Sequence, residues 1–196
     1  MGAGILLVWG EEGRWNGFMS ARVLCVLAAG FEEIEMITPV DLLRRAGVEV
    51  VMASLESGPV TGRCGVTVVA DAVLSDVMGG VFDLLLLPGG PGVGVMRGNG
   101  RVGELVRGFV EAGKPVAAIC AAPLVLMDAG VLDGRRFTAH DSTAGELPGS
   151  SGERVEEDGG VITSRGAGTA LDFGFLLVRR LAGAEVEEEI RRAILA

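Results

Sequence analysis

The stretch Val116-Ala117-Ala118-Ile119-Cys120-Ala121-Ala122-Pro123 passes from a continuous apolar run to a helix start with no linker between them. Such a run reads as a strand buried on both faces, and Pro123 stands where a helix accepts proline most readily, in its first turn. A residue at such a joint is forced into an unusual backbone conformation and lifts its side chain above the sheet edge. This is a nucleophile elbow, which requires small residues two places to either side of its tip, here Ala118 and Ala122. The tip is Cys120. The helix N-terminus beneath it favours a thiolate through its dipole and free N–H groups, so a thiol pKa below that of free cysteine is expected. The plainer alternative is a buried structural cysteine; the alanine-flanked joint favours the nucleophile.

Outward from the elbow, strands and helices alternate. Val23–Ala28, Val48–Ser54 and Phe82–Leu87 read as strands, and Gly62–Ala70 as an extended segment carrying Cys64 on a surface hairpin. Glu32–Ala46 reads as a helix with a kink or restart at Pro39 and Thr38 as a local cap. Ala72–Val77, Gly103–Ala112, Pro123–Ala129, Thr169–Leu181 and Ala184–Leu195 complete the helices. Phe137–His140 continues the second half, followed by a loose acidic stretch, Asp141–Glu153. Asp158-Gly159-Gly160 marks a hairpin between Val155–Glu157 and Val161–Ser164. This order predicts an α/β fold: a mostly parallel sheet with helices on both faces, in three layers. The site is then expected at the carboxyl ends of the strands.

Composition bounds the function. The 196 residues carry a net charge of −9, which argues against a nucleic-acid binder or an anionic-membrane binder. Glycine is abundant, at 32 residues, without a collagen period, and implies many tight turns. Cys25, Cys64 and Cys120 are odd in number and widely spaced, so neither a disulfide framework nor a metal cage is indicated, and a cytoplasmic protein is expected. No apolar run is long enough to span a membrane. Residues 1–18 read as a weakly structured extension preceding a single domain over 19–196, with Met19 resembling a second start. Gly98-Asn99-Gly100-Arg101-Val102-Gly103 spells a dinucleotide fingerprint but follows no strand, and Gly113-Lys114-Pro115 lacks the hydroxyl residue of a phosphate loop. Nucleotide binding therefore has no support. Glu185, Glu187, Glu188 and Glu189 read as a solvated helix face.

Ala118–Pro123, together with Leu84–Gly90, Ala29–Glu35 and Thr163–Phe173, resembles the ThiJ/PfpI superfamily. Within it, the resemblance is to the branch of the parkinsonism-associated protein deglycase and bacterial ThiJ-like proteins, over roughly Arg22 to Leu195. The resemblance implies a flavodoxin-like α/β/α sandwich, a homodimer, and no cofactor or metal. It places the nucleophile on Cys120, a partner carboxylate on Glu35, oxyanion-binding N–H groups on Gly90 and Ala121, and a proton-shuttling histidine on His140. A carboxyl beside a thiolate is expected to be protonated and to donate a hydrogen bond. Glu32 and Glu33 fit the alternative role of helix-dipole acids. Ala121, in place of the peptidase branch's histidine, and the lack of a late His-x-Glu pair argue against peptidase and amidotransferase activity. Asp141 and Ala167 stand where relatives carry prolines, and Arg63 lies one place from the family's pocket arginine, where Cys64 stands. The implied activity is that of a protein deglycase or cofactor-independent glyoxalase acting on methylglyoxal, glyoxal and glycated protein adducts. The alternative is a redox-sensing or chaperone-like protein in which Cys120 is oxidised without turnover.

Overall fold

The computed structural model describes residues 20–196; the extension expected over 1–18 lies outside them. Strands β1 (Arg22–Leu27), β2 (Glu49–Ser54), β5 (Ala72–Val73), β6 (Leu84–Leu87), β7 (Val116–Ile119), β8 (Val155–Asp158) and β9 (Val161–Ser164) form one sheet in the order β5-β2-β1-β6-β7-β9-β8. Every neighbouring pair is parallel except the β8–β9 hairpin. A separate antiparallel hairpin joins β3 (Pro59–Thr61) to β4 (Thr67–Val69).

Period-two alternation along β1 divides the core into two slabs. Leu24 and Val26 face α3 (Val93–Gly98), α4 (Gly100–Glu111) and α5 (Pro123–Asp128), near the short α2 (Leu74–Val77). Val23, Cys25 and Leu27 face α1 (Glu33–Arg45), α6 (Ala170–Ala182) and α7 (Ala184–Ile194). The three-layer expectation holds, with the central strands buried on both faces. Cys25 is fully buried and serves as packing. Burial pushes its thiol up to about 12.

Several elements differ from their sequence expectations. Helix α1 runs unbroken through Pro39, and its cap is Glu32, whose carboxylate accepts the Glu35 N–H at 2.8 Å. The proline sits on the α1 face that α6 covers, where Gly174 brings the two helices together; a Cβ on Gly174 would lie 2.6 Å from Leu42 Cδ1 and 3.2 Å from Pro39 Cα. Helix α3 forms in a segment to which the sequence assigns no element, because Val93 and Met96 drop into the core. Phe137–His140 is buried through Ala139 but joins no strand ladder, since β7 pairs directly with β9. Its amides are satisfied instead by Thr163 Oγ1, Ser150 Oγ and the Cys120 carbonyl. Glu187 leaves the expected solvated face: it is 3 % exposed and bonds to Arg179 and Arg191, fastening α7 to α6.

Candidate active site

Strand β7 ends at Ile119, and Cys120 follows with φ +66°, a left-handed conformation that costs a non-glycine residue roughly 1–2 kcal/mol. Two backbone bonds hold it there: its N–H donates to the Ser164 carbonyl at 2.8 Å, and its carbonyl accepts the His140 N–H at 2.9 Å. Ala118 and Ala122 are fully buried, as the elbow requires. The turn thereby presents the Cys120 side chain at the carboxyl edge of the sheet, and the residue remains 8 % exposed.

Glu35 reaches the same point from the first turns of α1. It is 1 % exposed, accepts the Gly89 N–H at 3.1 Å and borders the same cavity as the Cys120 side chain. Burial pushes its carboxyl up to about 7. Burial and the neighbouring negative charge of Glu35 also push the Cys120 thiol up to about 12, against the pull of the Gly90 and Ala121 N–H groups. The expected fall in thiol pKa is thus opposed by burial and by a second buried acid beside it. A second negative charge beside the first is disfavoured, so one of the two acids keeps its proton when the other ionises.

The doubled glycine after β6 makes this approach possible. Gly90 has φ +91°, and a Cβ on it would lie 2.5 Å from the Gly30 carbonyl oxygen. A Cβ on Gly89 would overlap the Glu35 carboxylate and sit 2.6 Å from Cys120 Cβ. Sequence reasoning singled out Gly90 alone; the pair Gly89-Gly90 was the available clue to both.

Cys120, Glu35, Gly90, Ala121 and His140 all line one cavity of about 370 Å³. The structure therefore brings every sequence-predicted site residue together. Nδ1 of the exposed His140 accepts the Ser142 N–H at 3.1 Å, which caps a short 3₁₀ turn and leaves Nε2 to carry the proton of a neutral ring. Arg63, one place off the family position, still reaches the cavity and lowers Glu35 electrostatically. Glu32 also lines it, a placement its reading as a dipole acid did not include. Glu33 is instead buried against the β3–β4 hairpin, accepting the Cys64 N–H at 2.7 Å.

Comparison with known proteins agrees with this architecture. Residues 21–180 match the family model described as the DJ-1/PfpI family. Protein dj-1beta of Drosophila melanogaster is 39% identical over 184 residues, covering 90% of this chain and 98% of the fly protein. The crystal structure of Drosophila melanogaster DJ-1beta matches with a TM-score of 0.87 at 38% identity, covering 91% of this chain and 99% of that one. A glutathione-independent glyoxalase of Caenorhabditis elegans is 35% identical over 158 residues, 79% of this chain and 84% of the worm protein. A deglycase of Thermococcus kodakarensis is 36% identical over 151 residues, 75% of this chain and 91% of the archaeal protein.

Proposed function

The chain belongs to the DJ-1/PfpI family, and on that premise we propose that it is a cysteine-dependent enzyme acting on small dicarbonyls, methylglyoxal and glyoxal, and on their adducts with protein amines and thiols. The observation that carries this reading is the pairing of an elbow cysteine with a buried carboxyl whose pKa is raised to about 7. A carboxyl titrating near neutrality can both give and take a proton during one turnover. The names of the worm glyoxalase and the archaeal deglycase support the same substrate class.

The chemistry follows from the geometry. The pair reacts in the form with the proton on Glu35 and the charge on Cys120 sulfur, which the Gly90 and Ala121 N–H groups favour. The thiolate adds to the aldehyde carbon of methylglyoxal, forming a C–S bond. The oxygen that gains charge lies near the same two N–H groups and takes the Glu35 proton, giving a hemithioacetal. Glu35, now a carboxylate, removes the hydrogen from the former aldehyde carbon and returns a proton at the neighbouring carbon, while the hydroxyl proton passes from the first carbon's oxygen to the second's. The first carbon is thereby oxidised to a thioester and the second reduced to an alcohol, with no external oxidant. Water cleaves the thioester to lactate and restores the thiol. With an adducted substrate, the C–N or C–S bond to the amine or thiol breaks as the Cys120 C–S bond forms, and the departing group takes the Glu35 proton. His140 exchanges protons with solvent at the cavity mouth. The three unpaired cysteines fit a reducing cytoplasm.

Purified protein incubated with methylglyoxal is expected to release lactate catalytically, and a Cys120→Ala preparation made identically is expected to release none. Glu35→Gln should retain a titratable thiolate, because the amide still donates a hydrogen bond, yet lose turnover by at least ~100-fold, since an amide cannot relay a proton. Stoichiometric oxidation of Cys120 by peroxide without lactate release would instead establish the redox-sensing role.

A further inference from the structure

A second group of reactive side chains lies where the β3–β4 hairpin meets the start of α1. Glu32, Glu33 and Cys64 each bring a donor atom within 4.8 Å of the other two. Hydrogen bonds already divide the two carboxylates. Glu32 Oε2 is committed to the α1 cap. Glu33 Oε1 accepts the N–H groups of Cys64 at 2.7 Å and Val66 at 3.3 Å.

The remaining oxygen, Glu33 Oε2, is buried and has no hydrogen-bond partner, on a residue that is 7 % exposed. An unpartnered buried carboxylate oxygen costs on the order of 1–3 kcal/mol or more. A cation removes that cost. Gly62 leaves the space for this arrangement, since a Cβ there would lie 2.6 Å from Glu33 Cδ.

We infer that Glu32, Glu33 and Cys64 form a divalent-metal site, suited to Zn²⁺, that fastens the β3–β4 hairpin to the N-terminus of α1. One sulfur and two carboxylate donors suit a borderline ion. Mg²⁺ and Ca²⁺ prefer oxygen alone, and Cu(I) prefers soft donors alone. Tetrahedral Zn²⁺ with bonds of ~2.0–2.3 Å holds its ligands ~3.4–3.6 Å apart, so donors already within 4.8 Å of one another need to close by at most ~1.4 Å. Three protein donors leave a fourth position for water. The Glu33 bonds to the Cys64 and Val66 amides serve as the outer anchors that such a site requires. Cys120 is not a member of the cluster, although Glu32 also borders its cavity.

Cobalt(II) titrated into the full-length protein, read by its thiolate-to-metal charge-transfer absorbance, tests the site directly. The expected result is saturation at one equivalent per chain, in wild type and in Cys120→Ser alike, with displacement by Zn²⁺. Cys64→Ser should abolish the band, and Glu33→Gln should weaken Zn²⁺ binding by more than about tenfold. Zinc should raise the melting temperature of wild type and Cys120→Ser but not of Cys64→Ser. Cys64 is exposed, so its variant remains informative even if Glu33→Gln fails to fold. A band retained in Cys64→Ser, a band lost in Cys120→Ser, or no saturation near one equivalent overturns the assignment.

Discussion

Glu35 stores a pH dependence in the folded protein. Its carboxyl is raised from an ordinary 4.5 to about 7 by burial, so the native state binds its proton more tightly than the unfolded chain does. The stability from this group is therefore fully present below about pH 4.5 and is lost as pH rises through about 7. Glu35→Gln removes that loss: its advantage over wild type in denaturant unfolding should grow by about 2–3 kcal/mol between pH 4.5 and pH 8. Parallel profiles for the two proteins would show the carboxyl to be ordinary. The same titration gates catalysis, and kcat/KM for methylglyoxal should climb through about pH 7 in wild type. At this scale the sequence was readable wherever a residue's role depends on its immediate neighbours, as with Cys120 between alanines. It was not readable where the role depends on what approaches through space. Gly89 matters because Glu35 occupies the place of its missing Cβ, and Glu33 matters because a hairpin some thirty residues later lies across it.

Where α1 crosses α6, Gly174 permits an approach that any side chain would prevent. Gly174→Ala should cost about 1–3 kcal/mol by forcing Leu42 and Pro39 aside. Gly108, in α4, is a contrasting case: a Cβ there meets nothing within 4 Å. Gly108→Ala should stabilise by about 0.5–1 kcal/mol, because glycine's unfolded-state entropy is then the main difference. Equilibrium unfolding of both variants checks the pair of signs. Elements with a clear apolar period were legible: the four central strands and the helices α1, α4, α6 and α7 stand within a few residues of their expected places. Pro39 misled because burial against α6 outweighs one lost helical hydrogen bond. Helix α3 was invisible because two glycines in six residues suppress its propensity, and only the burial of Val93 and Met96 restores it. The run Phe137–His140 carries strand-like burial without a strand's ladder, a distinction that resides in its partners.

The whole molecule presents an apolar face that its own core does not use. On α1 and the β3–β4 hairpin, Met36 and Leu42 are buried in the core, while Ile34, Ile37, Val66 and Val69 are exposed. We propose that this face of α1 and the hairpin pairs with a second copy. Sedimentation at micromolar concentration should give about twice 20.2 kDa, and Ile37→Glu with Val69→Lys should return the monomer. A wild-type monomer would refute the pairing. The backbone bonds of Cys120 have a further consequence, for the order in which the protein comes to life. Its amide donates to Ser164, on β9, and its carbonyl accepts from His140, so the turn is held by segments made after it. Parallel pairings between distant strands form slowly, after local helices. A chain still emerging during synthesis, or one cut before β9, carries an untethered cysteine lacking the contacts that make it a nucleophile. Recovery of activity on refolding should therefore lag the return of helical circular dichroism and coincide with completion of the sheet.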